Sequence, residues 1–287
     1  MSTATLHSSA DRAALADAST TARAVDELKA AALRHRAIRH PYLKAMAAGD
    51  LPDSLGALAD FARQYHGYSS HFPRYLCAVI ARLERPEHRQ ALLDNLSEES
   101  GHYEAEELAT LQGVGINPAW IEGIAHPELF RRFRAAVEAA AGRPPCDPEE
   151  PEQIEVICWR EQFLACLSQG SPAEAIGALG LGTEAIVPLL YAPFAAAIAR
   201  CGALLPRDTV FFPLHTLVDD HHQGSLRRIA IDLAATPTGL SDLSRGMHKA
   251  LALRDAFWSW LLERALQGPG EAQLAASTLD AGAPDRR

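Results

Sequence analysis

Three side chains able to hold a metal ion share one helical face in the segment 211–224, FFPLHTLVDDHHQG. Read as a helix, it sets His215, Asp219 and His222 at i, i+4 and i+7, one above another. Two imidazoles and a carboxylate suit a divalent iron or manganese ion, which accepts mixed nitrogen and oxygen donors and leaves coordination positions open. One helix rarely completes such a site. Two further stretches offer donors: Glu99 and His102 in NLSEESGHYE, at i and i+3, and Glu184 in LGLGTEAIVPLLYAPF. Glu184 is a lone acid in apolar company, and burying an unpaired carboxylate is costly unless its pKa moves or a cation partners it.

The spacing of Glu99 and His102 recurs in Asp219 and His222. In helix-bundle di-iron proteins, Glu-x-x-His pairs on two helices and glutamates from others hold two ions in the bundle core. Three imidazoles and three carboxylates offset most of the charge on two ferrous ions, with Glu184 as the bridging carboxylate. Taken singly, a Glu-x-x-His pair is also what a solvated helix face carries, and the His-Asp-His triplet also fits a hydrogen-bonded polar network. Glu98, four residues before His102, competes with Glu99. Glu106 shares the Glu99 face as an outer acid, an exchangeable ligand or a solvated side chain. Asp220 and His221 project away from the 215/219/222 face.

The elements that position these groups are read from apolar periodicity and from Pro, Gly and capping residues. A Ser/Thr/Ala-rich tail over residues 1–21 precedes a helix from near Thr21 to about Met46. Asp53 or Ser54 caps a long helix carrying Phe61, Tyr65, Tyr68 and Phe72 and reaching Leu83, kinked at Pro73. Pro86 opens the helix bearing Glu99 and His102, and His126-Pro127 opens HPELFRRFRAAVEAAA. After an acidic, proline-rich loop at 146–151 come a helix over about 152–168, a glycine-rich bend before Glu184, and a long helix from Pro206 to about Ala235. Ser241 caps a last helix through Leu266, and residues 268–287 read as a flexible tail. Tyr65, His66, Tyr68 and Phe72 are candidate lining of a substrate pocket. No strand-like alternation, GxGxxG, P-loop or GxSxG pattern is present, so one all-α domain of seven or eight helices over 22–267 is expected.

Composition narrows the function classes. The 287 residues are 48% hydrophobic and 22% charged, which favours a helical globular protein. A net charge of −9 with no basic cluster argues against a nucleic-acid partner. Five scattered cysteines without a CxxC pairing suit a reducing compartment. With neither a secretory signal nor an apolar run of about 18 residues, a cytoplasmic protein with no membrane partner is expected.

The order Glu-x-x-His, an isolated Glu after a Gly-rich bend, then His-x3-Asp-x2-His resembles the haem-oxygenase-like dimetal oxidases, relatives of thiaminase II and pyrroloquinoline-quinone synthase. The resemblance spans roughly residues 55–265 and includes the Phe-Pro-Arg of HFPRYL and the HPELFRRF segment. It implies a seven-helix bundle in which Glu99, His102, Glu184, His215, Asp219 and His222 bind two Fe(II) ions. Members activate O2 and oxidise amino-acid, amine or fatty-acid substrates. Where some members place a histidine seven residues after the glutamate, this chain has Glu106. The implied activity is a non-haem di-iron oxidase acting on a small amino-acid- or amine-like substrate by N-oxygenation, desaturation or C–C cleavage. An electron donor and a second copy of the chain are open as partners. Two other readings remain: a metal-independent enzyme of the same bundle, like the quinone synthase or thiaminase, and a non-catalytic metal-binding or interaction protein. Thiaminase II needs a nucleophilic cysteine, and none of the five here sits in a matching motif.

Overall fold

The computed structural model describes residues 9–145, 147, 150–217 and 220–267, with the backbone alone for 9–18, 217 and 220–222. Its helices are α1 (Ser9–Arg34), α2 (Pro41–Ala48), α3 (Ser54–Ser69), α4 (Phe72–Ile80), α5 (Pro86–Glu99), α6 (Ala105–Gly113) and α7 (His126–Ala140). They continue with α8 (Ile154–Gln169), α9 (Pro172–Ile176), α10 (Val187–Cys201), α11 (Pro206–Thr209), α12 (Phe211–Leu217), α13 (Asp220–Ala234) and α14 (Gly239–Gln267). No strand occurs among the described residues, and the chain is all-α as expected.

Local chemistry sets most boundaries. The Asp53 carboxylate accepts the Gly56 N–H at 2.8 Å and Ser171 Oγ accepts the Glu174 N–H at 3.1 Å, satisfying donors that a helix start leaves open. Proline stands in the first turn of α2, α4, α5, α7, α9, α10 and α11, where its missing N–H costs nothing. Several expectations are corrected. Helix α1 starts at Ser9 rather than near Thr21, and the last helix starts at Gly239 rather than after Ser241. The helix expected to kink at Pro73 is two helices, because the chain breaks between Ser69 and Phe72 and Pro73 opens α4. The long helix expected from Pro206 breaks at Val210, between α11 and α12, and residues 218–219, between α12 and α13, lie outside the described residues. The expected tail segments 1–8 and 268–287 lie outside the described residues.

The core is built from aromatic side chains. Phe61 of α3 stacks on Phe194 of α10 with ring centroids 3.8 Å apart, and Tyr68 of α3 stacks on Trp159 of α8 at 3.9 Å. Trp258 of α14 lies 6.1 Å from both Phe61 and Tyr65. Such pairs add about 0.5–1.5 kcal/mol each beyond the area they bury. Helix α3 is also tied by charge. Asp60 takes two hydrogen bonds from Arg264 of α14 at 2.8 Å each, and Arg63 reaches Glu138 of α7 at 2.8 Å. Of the described residues, only Pro172–Cys201 is apolar and long enough to cross a membrane, and its most apolar stretch is mostly buried within the protein. It is a core segment.

Helix α14 packs against α8, α9 and the π-helical turn Gly177–Leu181. The approach is so close that a Cβ on Gly246 would overlap the Glu174 carbonyl oxygen. This contact seats the π turn, and the turn delivers Thr183 and Glu184, the start of a short 3-10 turn ahead of α10. Gly246→Ala is therefore expected to lower unfolding stability by about 2 kcal/mol through overpacking. Gly113→Ala, which meets open space, should stay within about 0.5 kcal/mol of wild type. Urea melts of both variants check this, and equal stabilities would contradict it.

His66 faces Phe130 of α7 with ring centroids 6.3 Å apart. Burial, with Arg134 nearby, pushes its pKa down from 6.5 to about 4. The unfolded chain thus takes up the proton first as the pH falls, so the stability penalty opens near pH 6.5 and is complete below about 4. Between pH 7 and pH 5 it amounts to about 2 kcal/mol. His66→Gln is expected to escape that part of the wild type's loss, read from urea midpoints at the two pH values. Parallel losses would contradict the assignment.

Candidate metal centre

Glu99 is the last residue of α5 and is 6% exposed. The helix cannot continue, because Gly101 turns with φ +87° and a side chain there would meet the backbone of Ile124. The Gly101 carbonyl accepts the Gly123 N–H at 2.8 Å, so the chain ahead of α7 is drawn against the end of α5. That closeness carries His126, the first residue of α7, to Glu99. His126 Nδ1 lies 3.0 Å from Glu99 Oε1. His215 of α12 brings its Nε2 to 3.9 Å from the same oxygen. One donor atom from each of these three residues falls within 4.8 Å of the others. Cis ligands on an octahedral ion with bonds of about 2.1 Å stand roughly 3 Å apart, so modest closure of the three donors would bind one.

Both histidines are presented as ligands. His215 Nδ1 lies 2.7 Å from the Phe211 carbonyl oxygen; a carbonyl only accepts, so Nδ1 carries the proton and Nε2 keeps its lone pair. His126 Nε2 lies 2.6 Å from Tyr103 Oη. Its buried Nδ1 is near Glu99 but out of line for a hydrogen bond. A buried imidazole nitrogen without a hydrogen bond, beside a carboxylate and a second lone pair, fits a cation. Outer partners of this kind fix the tautomer of a ligating histidine. Burial pushes the Glu99 carboxyl up, and His126 and His215 outweigh it and hold it well below the usual carboxylate range. Burial, reinforced by Glu99 and Glu98, pushes the Tyr103 phenol well up, so Tyr103 stays protonated.

The centre opens onto a pocket that Glu184, 7% exposed, also lines. Aromatic groups form the wall: Phe211 lies 4.1 Å from the His215 ring, Tyr191 lies 5.7 Å from it, and the Tyr191 hydroxyl is 3.0 Å from that of Tyr65. Of the expected pocket residues, Tyr65, Tyr68 and Phe72 line this space, whereas His66 packs toward α7 instead. No described cysteine lines it.

The sequence-expected ligands fare unevenly. Glu99 and His215 are brought together, and Glu184 faces the same pocket. His102 is corrected: it stands exposed on the loop after α5, so the i, i+3 relation to Glu99 is lost where the helix ends. His126 takes the place beside Glu99. Asp219 lies outside the described residues, as do the side chains of Asp220, His221 and His222. Glu106 is exposed in the first turn of α6, and Glu98 is half-buried and off the pocket. A signal for His126 was present in its register with Leu129, Phe130, Phe133 and Val137, which puts it on the apolar face of α7.

Residues 59–255 match a family of iron-containing redox enzymes. No curated protein matches in sequence. Among solved structures, a CADD-like protein of unknown function from Nostoc punctiforme is similar with a TM-score of 0.64 at 16% identity, covering 86% of this chain and 99% of that one. A domain of unknown function with a haem-oxygenase-like fold from Shewanella denitrificans gives 0.60 at 14%, covering 92% and 94%. A TenA homologue from Pseudomonas syringae gives 0.60 at 13%, covering 85% and 92%. A Glu-His-His group on a haem-oxygenase-like helical fold agrees with the family match, and the chain belongs to the iron-containing redox enzyme family.

Proposed function

We propose that the protein is a non-haem di-iron oxidase that uses O2 to oxidise a small organic substrate. The observation that carries this reading is the Glu99, His126 and His215 group, whose lone pairs converge at a pocket that also holds the buried Glu184. One ion would sit on Glu99, His126 and His215. Glu184, with Asp219 and His222, would hold a second. Iron, when bound, supplies the redox chemistry.

The chain's own residues do the rest. The Phe211 carbonyl keeps His215 Nε2 unprotonated, and the Tyr103 hydroxyl would do the same for His126 Nδ1 by accepting a hydrogen bond from the Nε2–H. Phe211, Tyr191 and Tyr65 wall the pocket and would keep bulk water from the centre, which strengthens electrostatic interactions within it. Phe72, Pro127 and Val187 add apolar lining against which a substrate's carbon skeleton can rest. A thiaminase-like reaction is less well supported, because its nucleophile would be a cysteine and none of the described cysteines lines the pocket.

Anaerobic titration with Fe(II), followed by oxygen-uptake measurements with a panel of amino acids, amines and fatty acids, tests the proposal. Wild type is expected to take up about two irons per chain and to consume O2 with a member of the panel. His126→Ala and Glu184→Ala should each bind iron at least tenfold more weakly, and His102→Ala should match wild type. Iron uptake unchanged in His126→Ala would contradict the ligand set. Full uptake without oxygen consumption across the panel would contradict the oxidase.

A further inference from the structure

Arg254 of α14 is 1% exposed and lines the same pocket as Glu99 and Glu184. No ion pair joins it to any described carboxylate. Its Nε and Nη1 have no hydrogen-bond partner, and Nη2 makes a long contact of 3.5 Å to Tyr68 Oη, with the neutral Tyr65 hydroxyl also near the guanidinium. The guanidinium is held over two rings instead, 5.5 Å from the Tyr68 centroid and 5.3 Å from that of Trp159. Ser69, also buried and on the same pocket, has an Oγ with no partner.

A buried cation left without an anion is unfavourable, and a guanidinium does not escape by losing its proton. Burial works against the charge here, yet the phenols of Tyr68, Tyr65 and Tyr191 tip the balance toward keeping it. Burial holds the Tyr68 and Tyr191 phenols well above their ordinary range, so neither supplies the missing anion. Cation–π attraction to the two rings holds the guanidinium while leaving Nε and Nη1 unspent, and a guanidinium edge with free N–H groups can receive a carboxylate through two parallel hydrogen bonds. A ligand can therefore supply the anion.

We infer that Arg254 is the substrate's carboxylate anchor, so that the pocket takes a carboxylic acid, free or as part of an amino acid, rather than a simple amine. Ser69 offers a second unused hydroxyl to the same ligand. The assignment rests on the oxidase reading above and narrows its substrate class. A substrate held at Arg254 by its carboxylate would extend toward the Glu99, His126 and His215 group, leaving that end of the molecule to react.

The test uses propionate and its uncharged counterpart propionamide as probes. Binding is followed by tryptophan fluorescence, since the Trp159 ring lies 5.3 Å from the Arg254 guanidinium, with the protein loaded anaerobically with Fe(II) and again after chelation. Wild type is expected to bind propionate at least tenfold more tightly than propionamide in both states, and preference without iron separates the arginine from direct binding to metal. Arg254→Met should lose the preference while taking up iron as wild type does, and Arg254→Lys should keep part of it. Equal binding of the two probes by wild type, or an undiminished preference in Arg254→Met, would overturn the inference. The wild-type comparison stands even if the Met variant fails to fold. Carboxylate preference without iron uptake would instead remove the oxidase and leave the anchor, whereas iron uptake without preference would remove the anchor alone.

Discussion

A carboxylate almost withdrawn from water has to be matched by positive charge, and the interior of this bundle is arranged around that constraint at Glu99. The acid ends α5 among aromatic side chains, where burial alone would drive it to the neutral form. Two imidazoles from α7 and α12 reverse this. In the loaded protein a cation held by the same three side chains would match the charge. Burial of a second acid, Glu184, on the same pocket repeats the demand.

Meeting it requires three distant segments to converge, and backbone contacts arrange this. The left-handed turn at Gly101 lets the 123–124 backbone lie against the end of α5, which fixes where α7 begins and hence where His126 points. The tight seat of α14 on α9 at Gly246 holds the π-helical turn that delivers Glu184. Unusual helical turns of this sort are frequent at functional sites. The aromatic layer of Phe61, Tyr65, Phe194 and Trp258 then locks α3, α10 and α14 around the pocket. Rigid elements hold the donors while the irregular turns aim them.

Much of this was legible in the sequence. Helical periodicity, proline punctuation and the absence of strand alternation give the all-α class. Glu184 among apolar residues and His215 on its apolar stretch mark themselves, as does Glu99. The partner of Glu99 was misread because ideal helical spacing was extended to His102, past a Ser-Gly pair that ends the helix. Spacing along one helix says which groups share a face only while the helix persists. His126 lies 27 positions from Glu99 in the chain, and only the tertiary contact at Gly101 reveals their pairing. The apolar register of α7 could have placed His126 inside, though not beside which acid. Arg254 shares the buried face of α14 with Met247, Ala250, Leu251, Trp258 and Leu261, so helical register places it inside, though not on which pocket.

The most direct test of the central claim is where iron sits. Crystals grown anaerobically with Fe(II), with diffraction collected at the iron absorption edge, locate the metal without reference to activity. An anomalous peak bonded to the Glu99 carboxylate, His126 Nδ1 and His215 Nε2 is expected. Iron on His102, or a Glu99 pocket without iron while metal binds elsewhere on the chain, would contradict it.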